Sequence, residues 1–345
     1  MSSLVAGSGS TVPLLAVDDL HVEFATRDGL VRAVNGVSFE LRAGETIAIL
    51  GESGSGKSVT AQAIMGILPT PPARITAGSI RLEGRELVGL RERDYRGVRG
   101  RQIAMIFQDA LSSLNPVTCV GEQIAEMFRI HDGAGHGAAK AAAIEVMERV
   151  RIPGAARRYG DYPHQFSGGM RQRIMIAMMI ALKPQVLIAD EPTTALDVTV
   201  QSQIMDLLAE LKTEHNMGLI LITHDLGVVA DVAQHITVMY AGRTMEQGPV
   251  DDIYSRPANP YTRGLLESIP NLEAKTGRLP AIQGLPPNLL RIPPGCPYNP
   301  RCPLAQEICT HEPAPALLQV EGSHHSACHF AQEVRSYGIH RAVQG

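Results

Sequence analysis

The chain has 345 residues, a formal net charge of -4 and a pI of about 6.3. This length predicts one large domain with an appendage, or two domains, and excludes a small module. The acidic balance gives no electrostatic case for a nucleic-acid partner, because the basic cluster Arg91 to Arg101 is broken by acids and is typical of a solvated face. No apolar run is long enough to span a bilayer, and residues 1–12 are expected to form a flexible leader.

The first ordered segments alternate in hydrophobicity as strands do. Leu14 to Phe24 and Gly36 to Leu41 show this pattern on either side of an Asp28-Gly29 turn. Gly78 to Leu87 predicts a further strand pair, after a proline-rich break. We therefore expect an antiparallel β-layer near the N-terminus.

A phosphate-binding loop interrupts this layer at Gly51 to Ser58, which fits the pattern of glycine, four residues, glycine, lysine and serine or threonine. The apolar run Thr46 to Leu50 precedes it and a helical pattern, Val59 to Leu68, follows it, so the loop joins a strand to a helix N-terminus. Lys57 is expected to contact the β- and γ-phosphates of a nucleotide, and the Ser58 hydroxyl to bind Mg²⁺. The residues expected to cradle phosphate are Gly51, Ser53, Gly54, Ser55 and Gly56.

A second candidate phosphate site lies further along the chain. The strand Ile103 to Phe107 leads to Gln108, and the pattern is then helical from Leu114 to about Ile152. Ser167, Gly168 and Gly169 come just before another apolar helix. A serine and two glycines at a helix N-terminus can bind phosphate, although two glycines alone are a weak signal.

Two strand ends carry the candidate catalytic groups. An apolar strand from Val186 ends in Asp190 and Glu191, where the first acid can bind Mg²⁺ and the second can accept a proton from water. The alternative is an acid pair that caps the next helix. His224 follows the strand Leu219 to Thr223, at the strand end where ligands bind in parallel sheets.

Together these elements resemble an ABC transporter ATPase over roughly residues 13 to 250. They are, in chain order, Gly51 to Ser58, Gln108, Phe166 to Met170, Asp190-Glu191, Ala195-Leu196-Asp197 and His224. The resemblance implies an α/β fold: a RecA-like P-loop core with an antiparallel β-subdomain and an inserted helical subdomain at about residues 109–167, all within an ATP-binding domain of residues 13–256. It also implies that Phe24 stacks on adenine, Gln108 lies near Mg²⁺, Glu191 is the general base and His224 contacts the γ-phosphate. Phe166 and Met170 depart from the common Leu-Ser-Gly-Gly-Gln signature, whereas the Ser-Gly-Gly part is intact.

The residues after position 256 indicate a more specific family of ABC ATPases. Asn259 to Leu266, Leu285-Pro286-Pro287 and a cysteine region resemble the extension of dipeptide and oligopeptide importer ATPases, here residues 257–331 with a tail at 332–345. This implies ATP hydrolysis that powers peptide import from the cytoplasmic face of the cell membrane. The implied partners are a second ATPase subunit, two transmembrane permeases and an extracytoplasmic substrate-binding protein. Nickel and glutathione importers are built alike, and a soluble ABC ATPase of translation or DNA repair is a further alternative.

The cysteine region predicts an inorganic cofactor. Cys296, Cys302, Cys309 and Cys328 are separated by five, six and eighteen residues in a proline-rich segment that has little apolar material for a core of its own. Four thiolates suit Zn²⁺ or a 4Fe–4S cluster, and spacing alone leaves the two open. The resemblance favours the 4Fe–4S cluster. Histidines that can substitute as ligands are His311, His324, His325 and His329, and a redox-sensing role is a further alternative.

Overall fold

The computed structural model describes residues 12–109, 113–194, 196–268 and 282–336. Most of the predicted leader, part of the predicted tail, and Ala195 of the Ala195-Leu196-Asp197 motif lie outside these residues. The described strands are β1 (Leu15–Thr26), β2 (Gly29–Leu41), β3 (Thr46–Leu50), β4 (Ala73–Leu82), β5 (Arg85–Glu86), β6 (Ile103–Ile106), β7 (Val186–Asp190), β8 (Gly218–Ile222), β9 (His235–Tyr240), β10 (Arg243–Pro249), β11 (Leu318–Glu321) and β12 (His324–Ser326).

Helices cover the faces of the sheets and form a separate bundle. They are α1 (Lys57–Ile64), α2 (Glu92–Tyr95), α3 (Val120–Asp132), α4 (His136–Arg149), α5 (Ala155–Arg158), α6 (Gly168–Ile180), α7 (Val198–His215), α8 (Leu226–Val232), α9 (Val250–Ser255), α10 (Pro260–Glu267) and α11 (Ala331–Ser336). In the described part of the chain, no helix is both long and apolar enough to cross a membrane.

The central sheet has the strand order β11-β12-β10-β9-β3-β8-β7-β6. Strands β9, β3, β8, β7 and β6 run parallel to one another, so their carboxyl ends meet at one edge. Every residue of β3, β7 and β8 is buried. Alternate residues of β3 enter two different apolar cores, one on each face of the sheet. Burial on both faces explains why these strands are continuous apolar runs in the sequence.

The antiparallel sheet has the order β2-β1-β4-β5 and packs over α1. Strand β2 begins at Gly29, seven residues before the predicted start, because Leu30 and Val31 pair with Ala25 and Phe24 of β1. This segment was missed because the exposed side chains near the turn hide the alternation. The predicted strand pair around residue 83 is confirmed, although β5 has only two residues.

The inserted helical subdomain consists of α3, α4 and α5. Ala139, Ala143 and Met147 lie on the buried face of α4 and belong to the same apolar core as α6. The predicted α/β architecture, with an antiparallel layer and inserted helices, is thus confirmed in its main parts. The subdomain is inserted in the chain between β6 and α6.

The C-terminal segment adds to the central sheet. Strand β12 pairs with β10 through Ser326 and His325, and β11 pairs with β12. A fully buried pair, His324 Nε2 and Glu246 Oε1, lies 2.7 Å apart beneath these strands. Residues 318–326 therefore complete a sheet that begins in the nucleotide-binding part of the sequence. The domain boundaries expected at residues 257, 331 and 332 stay predictions.

Candidate nucleotide site

The P-loop of the structure runs from β3 to the N-terminus of α1, as predicted. Gly56 caps α1 with a φ of 104°, and Gly51 has a φ of 146°. A Cβ at Gly51 would lie 2.1 Å from the carbonyl oxygen of Met239, and one at Gly56 would lie 2.4 Å from that of Ala33. Both glycines are therefore required by the packing of the loop against neighbouring backbone, in addition to the room they leave for phosphate.

Lys57 is buried at the start of α1 and is held by the loop itself. Its Nζ donates to the carbonyl oxygens of Gly51 at 2.7 Å and of Glu52 at 2.9 Å. Burial lowers the pKa of Lys57, and the nearby carboxylates of Glu191 and Asp190 oppose this effect. The ammonium group therefore lies among anionic side chains, where a bound phosphate would compete for it.

Asp190 and Ser58 fit a divalent cation. The Ser58 hydroxyl is hydrogen-bonded to the Asp190 carboxylate, and Asp190 Oδ1 is buried without a hydrogen-bond partner among the described residues. Burial raises the pKa of Asp190, while Ser58 and Lys57 lower it. A buried carboxylate oxygen left without a partner is costly, and Mg²⁺ would satisfy it. These two residues are the ones that sequence reasoning proposed as magnesium ligands together with Gln108.

Three side chains meet at the Glu191 carboxylate. Gln108 Nε2 donates to Oε2 at 2.9 Å, the hydroxyl of Thr194 donates to the same oxygen at 2.8 Å, and His224 Nδ1 lies 3.4 Å from Oε1. Glu191 itself has a φ of 48°, which turns it away from the strand direction just after β7. The resemblance to ABC ATPases implied that Gln108, Glu191 and His224 serve one nucleotide site, whereas the contact of Thr194 with Glu191 was missed. The alternative, that Asp190 and Glu191 cap the next helix, is wrong, because the residue that caps α7 is Asp197.

The signature segment lies at the N-terminus of α6. Ser167 and Gly168 are exposed, and a Cβ at Gly168 would find only Leu196 nearby, at 3.9 Å. The substituted Phe166 is buried beneath the guanidinium of Arg158, 4.5 Å from its ring centroid. The unusual residue therefore packs in the helical subdomain and leaves the Ser-Gly-Gly backbone free at the surface.

Phe24 occupies a half-buried position in β1, paired with Val31 and Ala73. It packs partly against the core beneath the antiparallel sheet. The contacts of Ser53 and Ser55 with phosphate, and the stacking of Phe24 on adenine, stay predictions.

The C-terminal segment reaches the P-loop, which the sequence did not predict. Arg301 forms a bidentate ion pair with Glu52, with N–O distances of 2.5 Å and 2.9 Å. The backbone N–H of Glu52 donates to the hydroxyl of Tyr261 at 2.8 Å. Tyr261 packs with Tyr240 and Tyr298, with ring centroids 4.6 Å to 5.4 Å apart. Since Glu52 and Arg301 are 249 residues apart, no local pattern could have revealed the pair.

The structure brings the four C-terminal cysteines together around one small cavity. Burial raises the pKa of Cys296, that of Cys302 to about 11 and that of Cys328 to about 12, and the neighbouring thiols add to each rise. The donor set therefore has the chemistry of a metal or cluster site. In the described residues, however, no three or more His, Cys, Asp or Glu side chains are arranged as a ready-made metal site. Cys119 lies apart from them, at the N-terminus of α3.

Comparison with known proteins matches two family models to this chain. Residues 34–194 match the model described as ABC transporter, and residues 245–309 match the model described as oligopeptide/dipeptide transporter, C-terminal region. The oligopeptide transport ATP-binding protein OppD of Salmonella typhimurium is 54% identical over 300 residues, which cover 87% of this chain and 89% of that protein. The chain belongs to the ABC transporter family. The dipeptide transport ATP-binding protein DppD of Bacillus subtilis is 50% identical over 86% of this chain and 88% of its own length.

The fold of this ABC ATPase is similar to that of solved ATP-binding cassettes. The dimeric MJ0796 cassette bound to ADP and Pi aligns with a TM-score of 0.62 and 24% identity, over 68% of this chain and 98% of that one. CbiO1 of Clostridium perfringens aligns with a TM-score of 0.59 and 27% identity, over 70% and 91% of the two chains. The ATPase fold expected from the motifs is thus confirmed for the greater part of the chain.

Proposed function

We propose that this ABC ATPase hydrolyses ATP to power the import of dipeptides or oligopeptides through partner permeases at the cytoplasmic face of the cell membrane. The observation that carries the hydrolytic part is the Glu191 carboxylate, which Gln108, Thr194 and His224 surround beside Lys57 and Asp190. The peptide substrate is supported by the match of residues 245–309 and by the printed names of the two relatives. Import of nickel or glutathione by the same kind of ATPase is the alternative.

The geometry supports a division of labour at the site. The P-loop backbone and Lys57 would bind the β- and γ-phosphates, and Ser58, Asp190 and Gln108 would hold Mg²⁺. Mg²⁺ at that place would neutralise charge on the phosphate oxygens. Glu191 would accept a proton from water as it attacks the γ-phosphorus, and Gln108 and Thr194 would keep its carboxylate oriented. His224, mostly exposed, would contact the γ-phosphate.

Transport can be tested directly in a strain that lacks its own peptide importer. Uptake of a labelled tripeptide should require the chain together with its cognate permeases, and Lys57→Ala should abolish it. Uptake of nickel or glutathione in place of peptide would support the alternative substrate. Co-purification with ribosomes or DNA, and not with permeases, would support a soluble ABC ATPase and contradict the proposal.

The exposed signature segment supports a composite site with a second ATPase subunit. Ser167 and Gly168 present their backbone to solvent at the start of α6. Helix N-termini bind anions, so a partner subunit that brings its ATP to this surface would complete the site. We propose a heterodimer. Mass analysis of the complex purified from membranes should show one copy of each of two ATPases, and two copies of this chain would contradict the heterodimer.

The surface after Gln108 is the proposed contact with the permeases. Val117 is 80% exposed, an unusual position for a β-branched apolar side chain, and lies between the site and α3. Cysteine at Val117 should crosslink to a permease loop in membranes, whereas cysteine at Ile130, 68% exposed on the same subdomain, serves as the comparison. Crosslinks only to soluble proteins would contradict this arrangement. A substrate-binding protein outside the membrane would deliver the peptide to those permeases.

We also propose that the four C-terminal thiols bind an inorganic cofactor, a 4Fe–4S cluster in the first place and Zn²⁺ as the alternative. Support comes from the cavity that the four thiols share, since four convergent thiolates are the donor set of both groups. Anaerobically purified protein should be brown and contain about four irons per chain. Colourless protein with one tightly held zinc would decide for Zn²⁺. If Cys302→Ser leaves the metal content unchanged, neither cofactor is bound by these thiols.

A further inference from the structure

We propose that Arg301 is a positioning residue for the P-loop, which sets the affinity for ATP by neutralising and fixing Glu52. This inference rests on ATP binding at the P-loop and adds a regulatory role for the C-terminal segment. Every polar group of Glu52 is engaged: Arg301 holds the carboxylate, Tyr261 accepts from the N–H, and Lys57 donates to the carbonyl oxygen. Two of these three partners come from beyond residue 256.

The guanidinium of Arg301 is itself held rigidly. Its side chain is only 5% exposed, its Nε donates to the carbonyl oxygen of Gln283 at 2.9 Å, and one Nη donates to the hydroxyl of Tyr240 at 3.1 Å. It also lies 5.7 Å from the ring centroid of Tyr240 and 5.9 Å from that of Tyr298. A bidentate arginine in such a setting fixes the direction of its carboxylate partner, which a surface pair does not do.

The ion pair of Arg301 with Glu52 affects ATP binding through the negative charge of Glu52. Glu52 is the second residue of a loop whose task is to bind polyphosphate, and its carboxylate adds to the negative potential at Lys57. Without Arg301 that charge would be uncompensated beside the phosphates, and repulsion between like charges would weaken binding. Because the N–H of Glu52 already donates to the Tyr261 hydroxyl, it is not available to donate to phosphate.

The pair also connects the nucleotide site with the cysteine cavity. Arg301 is the last residue of the 3-10 turn Asn299–Arg301, and Cys302, which lines the cysteine cavity, is the C-cap of that turn.

The test is a double-mutant cycle on the full-length chain, measured by equilibrium binding of fluorescent ATP and ADP. Arg301→Ala should weaken ATP binding by about tenfold, because the uncompensated carboxylate of Glu52 then repels the bound phosphates. The loss should be smaller for ADP, which carries less charge. Arg301→Ala combined with Glu52→Gln should recover most of the affinity, because the uncompensated charge is then gone.

Arg263→Ala is the matched control, since Arg263 pairs with Glu267 at 2.8 Å in the same segment. It should leave ATP affinity within twofold of wild type. If Arg301→Ala does not fold, as judged by its melting curve, Arg301→Gln replaces it. A double variant that binds no better than the single one, or equal losses for ATP and ADP, would overturn the electrostatic role. Lys57→Ala, which should lose binding whatever Arg301 does, separates this outcome from failure of the P-loop as the ATP site.

Discussion

The side-chain amide of Gln108 is hydrogen-bonded to Oε2 of Glu191 across 83 residues of sequence. The contact exists because β6 and β7 are parallel neighbours, so the residues that follow them emerge at one edge of the sheet. The residue that joins the helical subdomain to the core is thereby in contact with the candidate base. Movement of that subdomain would therefore displace a hydrogen-bond partner of the carboxylate that we propose as the general base.

Glu191→Gln should reduce ATP hydrolysis by about a hundredfold or more and leave ATP binding intact. The amide cannot accept the proton from water, whereas Lys57, Ser58 and the loop backbone are unchanged. The assay is ATPase activity of the complex with its partner, beside ATP binding by the isolated chain. Glu210→Gln, an exposed glutamate paired with Arg151, is the control and should behave as wild type. Turnover within a few-fold of wild type in Glu191→Gln would remove Glu191 from this role.

Thr194→Val should lower turnover by about tenfold with little change in the KM for ATP, because it removes one hydrogen bond that orients Glu191. Thr194→Ser keeps the hydroxyl and should retain most of the activity. Steady-state kinetics of both variants check this prediction. If the serine variant loses as much as the valine variant, the hydroxyl is not the feature that matters.

Gly168→Asp should stop ATP hydrolysis by the assembled complex without weakening ATP binding to the isolated chain. Space at Gly168 is open, so the new side chain can be accommodated, but its charge would oppose phosphate brought by a partner subunit. Gly160→Asp is the comparison, since a Cβ there would meet no atom of the described residues within 4 Å. Equal losses of binding and hydrolysis in Gly168→Asp would contradict a composite site.

Alkylation of Cys302 and Cys328 in cofactor-free protein should be slow at pH 8 and should keep rising through pH 10. Burial raises the pKa of Cys302 to about 11 and that of Cys328 to about 12, so the neutral thiol persists in a range where an ordinary thiol is already ionised. The thiolate fraction of Cys302 at pH 8 should be about a hundredth of that of a free cysteine. Mass spectrometry of iodoacetamide-treated protein measures the rates. A rate that levels off near pH 9 would contradict the raised pKa.

The parts of the site that lie within one strand-to-helix junction could be read from the sequence. The P-loop and the acids Asp190 and Glu191 follow continuous apolar strands, whose burial on both faces leaves a clear signal. His224 was harder to assign, since a single histidine after a strand has many roles, and only its closeness to Glu191 gives it meaning.

Contacts that depend on tertiary packing were not predictable. The start of β2 was placed too late, because its exposed residues near the turn carry no alternation. Nothing in the proline-rich sequence of the C-terminal segment indicated that Tyr261 and Arg301 would contact the P-loop. Cysteine spacing predicted that the four thiols would converge, but spacing does not fix the geometry that a metal requires.

The pairing of β12 with β10 has a consequence for synthesis of the protein on the ribosome. Strand β10 is complete by residue 249, yet its partner strand emerges only at residues 324–326. Until then the edge of the sheet has unpaired backbone groups, and unpaired edges invite wrong partners. The buried Glu246 would also wait for His324 during this interval. A nascent chain stalled before residue 324 should therefore depend on chaperones more than the finished protein does, even though every motif proposed to contact ATP has already been translated.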